Sequence, residues 1–154
     1  MRSIVVEPVG SVVGGRTEAF DDGWGGEQAL IRLDGTRFEP DALVGLDAFS
    51  HLEVVFHFHL AHPSSVVTSA RRPRDNPDWP EVGIFAQRGK NRPNLLGVSR
   101  CRLVRVDGLD VHVRGLDAVA GSPVIDIKPY MTEYGPQGPA VQPPWATELM
   151  SAYY

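Results

Sequence analysis

Apolar residues recur at every second position in short runs, and turn-forming residues separate the runs. HLEVVFHFHL, His51 to Leu60, is the clearest case. Leu52, Val54, Phe56, Phe58 and Leu60 share one face; His51, Glu53, Val55, His57 and His59 share the other. Ile4 to Val9 predicts a first strand. Ala29 to Leu33 predicts another, broken only by Arg32 and turned by Asp34-Gly35. VGIFAQ (82–87) and PVIDIK (123–128) add two more. LVRVDGLDVHVRG (103–115) predicts a hairpin, with Asp107-Gly108 suited to a type I′ turn. Helical periodicity is scarce. Pro40 to Phe49 admits a short helix, and ATELMSAYY a final turn or two with Thr147 as cap. The stretch after Pro63 and GPQGPAVQPP (135–144) read as an irregular loop and a linker or arm. The expectation is a mostly-β fold, a small barrel with short helical segments. Residues 1–135 form the barrel domain and 136–154 a C-terminal arm with a possible short helix.

Charge adds an asymmetry. The 154-residue chain has a net charge of −4, yet nine Lys/Arg against three acids fall between Arg71 and Arg105. That pattern suggests a basic surface for an anionic ligand, or basic and acidic segments that pair in the fold. No apolar run approaches the roughly 18–20 residues of a membrane span. One cysteine, Cys101, rules out an intrachain disulfide, and a cytoplasmic protein is the default expectation.

Several residue clusters carry candidate chemistry. His57 and His59, with His51 and Glu53 on the same predicted face, could ligate zinc or iron or simply be hydrogen-bonded; no metal site is assigned. Cys101 lies among arginines that could lower its pKa, but packing is the ordinary role of a lone buried thiol. No Gly-x-Ser-x-Gly or Walker motif is present, and the glycine-containing stretch from Gly10 to Gly15, which follows a predicted strand, lacks Gly-x-Gly. RGKNRPNLLG (88–97) is a basic loop between two predicted strands. Arg88 and Arg92 suit bidentate contact with carboxylate or phosphate, Pro93 stiffens the turn, Asn94 offers hydrogen bonds and Gly97 permits close approach. A solvated hairpin loop explains the same residues. Asp126 and Lys128 share a strand face, as an ion pair or a ligand clamp, and Pro129-Tyr130 follows.

Three blocks, GLDAFSHLEVVFHFH (45–59), GIFAQRGKNRPNLLG (83–97) and GSPVIDIKPY (121–130), together resemble the TrmO/YaeB family in order and spacing. RRPR (71–74) resembles the Arg-rich element that precedes the second block. The family comprises S-adenosylmethionine-dependent methyltransferases that act on N6-threonylcarbamoyladenosine in the tRNA anticodon loop. The resemblance implies a single-sheeted β-barrel, a homodimer, and cofactor bound near the loops and the subunit boundary. By matching position it implies a cofactor loop of Phe85, Ala86, Arg88, Arg92, Pro93, Asn94 and Gly97. Asp126, Lys128, Pro129 and Tyr130 would form a second wall, with Asp126, Lys128 and Tyr130 as catalytic candidates. Arg71, Arg72, Arg74, Lys90, His51 and His59 would face the substrate. The chain departs from the pattern at Gln87 (family Thr), Gly89 (Ser) and Leu95 (the second Pro), at Glu53 and His57, and at Val13-Gly14-Gly15-Arg16 where Arg-Ser-Pro is usual. About 20 residues follow Tyr134, fewer than the roughly 50 of a domain, so the extra C-terminal domain of bacterial members is not expected. The acceptor expected is tRNA or, with the same cofactor site, a small molecule. A non-catalytic barrel binding adenosine-like ligands or RNA is the remaining class.

Overall fold

In the computed structural model, which describes residues 1–154, alternation along the sequence becomes register in a closed sheet. The strands are β1 (Gly10–Gly14), β2 (Gln28–Leu33), β3 (His51–His57), β4 (Ala70–Arg71), β5 (Val82–Gly83), β6 (Leu96–Asp107), β7 (Asp110–Arg114) and β8 (Pro123–Pro129). Six of them close an antiparallel barrel in the order β1-β2-β7-β6-β3-β8, and β4 and β5 form a separate two-stranded ribbon. The single-sheeted barrel expected from the resemblance is present. Closure pairs Gly10 with Val124, so every barrel strand has neighbours on both sides.

The interior is filled by the apolar face of each strand. Val12, Ile31, Leu52, Val54, Phe56, Val111, Val113 and Val124 are buried, and Leu116 packs with them from the β7–β8 connection. Each such side chain contributes about 1.5–3 kcal/mol by leaving water. Cys101 belongs to this core. Burial, then the nearby Asp117 charge, pushes its thiol pKa up to about 12. The surrounding arginines therefore do not activate it.

Several local expectations are corrected. Ile4 to Val9 is not a strand: Ile4 and Val5 are 87% and 91% exposed, and only the Val9 N–H reaches β8, at 2.8 Å from the Val124 carbonyl. Pro8 has no N–H to extend that ladder. The VGIFAQ strand shrinks to Val82–Gly83, after which Ile84–Ala86 winds into a 3-10 turn. β3 stops at His57; the Phe58 N–H crosses to the Leu95 carbonyl at 2.8 Å, and Leu60 is exposed. His57 and His59 thus do not share one strand face, and no three metal-ligating side chains come together. In the hairpin, Asp107 pairs with Asp110, so the turn residues are Gly108 and Leu109. Only Gly108 has positive φ (60°), the mark of a type II′ turn rather than type I′. Pro40 to Phe49 forms two 3-10 turns, Pro40–Leu43 and Leu46–Ala48.

The C-terminal arm carries one helix, α1 (Pro144–Met150). Thr147 lies inside it rather than capping it, and its hydroxyl accepts from Gln142 Nε2 at 2.8 Å. The arm returns to its own barrel. Trp79 Nε1 donates to Glu148 at 2.8 Å, Gly23 N–H to Ala152 at 3.0 Å and Trp24 N–H to Tyr153 at 2.7 Å. The Tyr153 hydroxyl donates to Asp117; burial and then that carboxylate raise its pKa. No helix is long and apolar enough to cross a membrane.

The Cys101 environment predicts a pH window. The thiol titrates near 9.0 ordinarily and near 12 when folded, so between these values only the unfolded chain releases the proton. Stability is full below pH 9 and falls as pH rises toward 12. Thermal melts at pH 8 and pH 10.5 are expected to show a steeper loss for the wild type than for Cys101→Ala.

Candidate functional site

The Phe85–Gly97 loop is tied to the β4–β5 ribbon at its start and to the barrel at its far end. Gln87, at a position where the family pattern has threonine, clamps its start: Nε2 donates to the Arg71 carbonyl at 2.9 Å and the Val82 carbonyl at 2.8 Å. Arg92 Nη1 donates to the Gln87 carbonyl at 2.7 Å, closing the loop on itself. Arg88 Nη2 donates to the Val98 carbonyl at 2.7 Å, laying the side chain along the outside of β6. Each guanidinium keeps further N–H groups for a ligand. Phe85 stands 79% exposed, and Lys90 and Asn94 are also on the surface.

Gly97 fixes the far end. A Cβ there would sit 2.5 Å from the Phe56 ring, so only glycine lets β6 start over that ring. Just before it, Asn94 and Leu95 both have positive φ, 66° and 52°. Asparagine tolerates this region, whereas leucine bears strain of order 1–3 kcal/mol. Burial of the Leu95 side chain offsets that cost. A proline is locked near −65° and cannot adopt it, so the departure at Leu95 is a different loop conformation, not a neutral exchange.

The second group lies on the outer face of β8. Asp126 and Lys128 form an ion pair, as their shared face allows, and that hydrogen bond raises the Lys128 pKa. Glu53 on β3 sits between Lys128 and Arg100 in register. Arg100 Nε reaches Glu53 Oε1 at 3.0 Å, and its guanidinium carbon lies 4.4 Å from the Tyr130 ring centroid. Arg100 was not singled out from the sequence; its position opposite Glu53 required the strand register.

The two groups do not meet within one chain. Val98 and Asp126 both pair with Val55, Arg100 and Lys128 with Glu53, while Tyr130 N–H donates to His51 at the other end of β3, 2.8 Å away. From the loop end of β6 at Leu96 to Arg102 beside His51 is about 20 Å at strand rise. The loop and Tyr130 therefore occupy opposite ends of one outer face, joined by the Asp126–Lys128 pair.

The remaining expected residues are scattered. Arg71 binds Asp75 at 3.1 Å, Arg74 binds Asp22 at 2.8 Å, and Arg72 donates to the Trp79 carbonyl. Arg71 and Arg72 thus hold the 71–79 loop together and Arg74 ties it to the β1–β2 connection, with Arg74 and Asp75 in left-handed conformation. His59 Nδ1 lies 3.3 Å from the buried Ser122 hydroxyl, bridging the chain after β3 to the start of β8. His51 bonds to Ser50 at 2.7 Å. A shallow surface depression lies elsewhere, between β2, β7 and the bulge in β6, lined by Gly14, Leu30, Arg105 and His112 among others.

Comparison with known proteins places this geometry. Residues 23–135 match the family described as tRNA-methyltransferase O N-terminal domain. The chain is 38% identical over 93 residues to a Homo sapiens protein named tRNA (adenine(37)-N6)-methyltransferase, covering 60% of this chain and 21% of that one. The Escherichia coli K12 protein of the same name is 39% identical over 97 residues, covering 60% and 41%. The crystal structure of TrmO from Pseudomonas aeruginosa superposes with a TM-score of 0.72 at 27% identity, over 91% of this chain and 62% of that one. The chain thus spans well under half the length of these two curated relatives.

Two substitutions test the loop. Gly97→Ala is expected to cost about 1–3 kcal/mol by overpacking, and less in a Phe56→Leu background where the ring is gone. Leu95→Pro is expected to cost about 3 kcal/mol or more, since the ring cannot reach φ of 52°. Chemical denaturation reads both.

Proposed function

Because the chain belongs to the tRNA-methyltransferase O N-terminal domain family, we propose that it uses S-adenosylmethionine to methylate N6 of an adenine in tRNA. What supports this most is that the matched span, residues 23–135, contains both the Phe85–Gly97 loop and the Asp126–Tyr130 segment. The names of the human and Escherichia coli relatives specify adenine(37)-N6 methylation, and a Pyrococcus abyssi relative, 33% identical over 94 residues, is named a probable S-adenosyl-L-methionine-binding protein. The finer proposal is N6-threonylcarbamoyladenosine as acceptor, from the three sequence blocks. A cytoplasmic location goes with a tRNA acceptor.

The donor set suits such a cofactor. Phe85 offers an exposed ring for a purine, Arg88, Lys90 and Arg92 offer cations for a carboxylate, and Asp126 an acceptor for an amino or ribose hydroxyl group. S-adenosylmethionine, when bound, supplies an already activated methyl group. The protein's task is then positioning, which can supply up to about 7–11 kcal/mol of a barrier. The Arg100 guanidinium lies over the Tyr130 ring, and together they offer a stacking surface for a base beside that position. The Asp126–Lys128 pair lies between the two groups, where a proton leaving N6 could be accepted.

The separation of loop and Tyr130 favours a homodimer. A two-fold axis through the outer face sets the two faces antiparallel. The loop of one protomer then lies beside the Lys128–Tyr130 end of its partner. Exposed Phe85 and Val98 supply apolar surface on that face.

Calorimetry with S-adenosylmethionine is expected to show binding to the wild type and its loss in Phe85→Ala, whose exposed side chain leaves the fold intact. Phe85→Ala and Lys128→Met are each expected to be inactive on N6-threonylcarbamoyladenosine-containing tRNA. Refolded together in equal amounts, they are expected to recover about a quarter of wild-type activity through mixed dimers. No recovery would show that each site lies within one chain; no cofactor binding by folded wild type would end the proposal.

A further inference from the structure

Arg114 on β7 stands directly opposite Arg102 on β6, and Arg102 directly opposite His51 on β3. All three are exposed. Adjacent strands lie about 4.8 Å apart, so the row sets two guanidinium groups and an imidazole across about 10 Å. Like charges opposite each other across strands destabilise a sheet. Elsewhere on the barrel's outside such charges are compensated: Asp107 and Asp110 face each other across the hairpin, but each has an arginine partner, Arg105 and Arg32. Arg100 faces Glu53 and Arg32 faces Asp110, each in a salt bridge. Arg102 forms no such bridge, and Arg114 only donates from Nε to the Gly25 carbonyl at 3.2 Å. The Arg102–Arg114 repulsion is therefore uncompensated inside the molecule.

The row has a direction. At one end the His51 carbonyl accepts the Tyr130 N–H, and Arg100, the next outward residue of β6, lies over the Tyr130 ring. At the other end Arg114 pairs with Gln28, which borders the depression lined by Leu30, Arg105 and His112.

We propose that Arg102, Arg114 and His51 form a phosphate-binding row that holds the RNA backbone on its way to the Tyr130 end of the site. The proposal rests on the reading of the protein as a tRNA methyltransferase. A phosphodiester laid across the row accepts N–H groups from both guanidinium forks and cancels their repulsion. Such contacts fix the register and path of the RNA and carry no sequence information. The neighbouring depression receives the adjoining ribose or base. The row also differs from Arg71 and Arg72, whose guanidinium groups are engaged within their own loop, and from Arg74, which is paired with Asp22.

The test compares wild type with Arg102→Gln/Arg114→Gln. Binding of a tRNA that carries N6-threonylcarbamoyladenosine is measured at several salt concentrations, beside S-adenosylmethionine calorimetry and thermal melts on the same proteins. The double variant is expected to bind tRNA about tenfold more weakly at low salt. Its slope of log K against log salt is expected to be shallower by about 0.7, the share of the one phosphate of single-stranded RNA that is no longer neutralised. Cofactor affinity stays unchanged, and Tm is equal to or above that of the wild type because a repulsion has gone. Arg114→Glu, which would pair with Arg102, is expected to raise Tm and weaken tRNA binding. Unchanged tRNA affinity and salt slope in either folded variant overturns the row and leaves the methyltransferase reading standing. A wild type that binds S-adenosylmethionine but no tRNA overturns the tRNA reading and the row with it.

Discussion

The contact between the Phe56 ring and the backbone of Gly97 sets the geometry of the loop end of the barrel. Phe56 is buried on the middle strand of the β6-β3-β8 face and pairs with Gly97 on one side and Val124 on the other. Phe58 packs edge-on against its ring, centroids 5.2 Å apart. Because a methyl group at position 97 would collide with that ring, the start of β6 has one permitted height over β3. The loop ending at Gly97 inherits that height. So does Asp126, which shares Val55 as a cross-strand partner with Val98. A packing constraint in the core thus aligns chemistry on the outside.

The outer face is then organised by charge. Arg100, Glu53, Lys128 and Asp126 alternate in sign across three strands, which keeps that stretch nearly neutral and its side chains fixed. Segment charge alone gave a misleading picture of where the basic surface lies. Of the cations between Arg71 and Arg105, Arg71, Arg74, Arg100 and Arg105 each have a carboxylate partner. The positive charge left over lies at Arg72, in the Arg88–Arg92 loop and at Arg102, not evenly along the segment.

Period-two alternation was legible wherever a strand buries one face and exposes the other. The β6–β7 hairpin, β2, the body of β3 and the Asp126–Lys128 pairing on β8 could all be read this way. It failed where an apolar run had no partner to bond. Ile4 to Val6 has strand composition, but Pro8 interrupts the ladder beside β8 and leaves the side chains in water. VGIFAQ alternates too briefly to outweigh the 3-10 turn that Gln87 closes. The three sequence blocks identified the residues of the candidate site, but not that the loop and Tyr130 lie at opposite ends of one face. That depends on register across three strands, set by Phe56 and Gly97. Nor could the left-handed pair Asn94-Leu95 be read from a leucine, which ordinarily avoids that region.

The strand order has a consequence for how the molecule comes apart. Only the β1–β2 and β6–β7 seams join strands from the same half of the chain; the β2–β7, β3–β6, β3–β8 and β1–β8 seams all join residues before Pro63 to residues after Gly83. Neither half owns a sheet, so neither can persist once the other has left. Local fraying at one seam exposes the same core that the remaining seams enclose. Opening is therefore all-or-none for the barrel, and its assembly waits on contacts far apart in sequence, the regime in which small domains fold slowly.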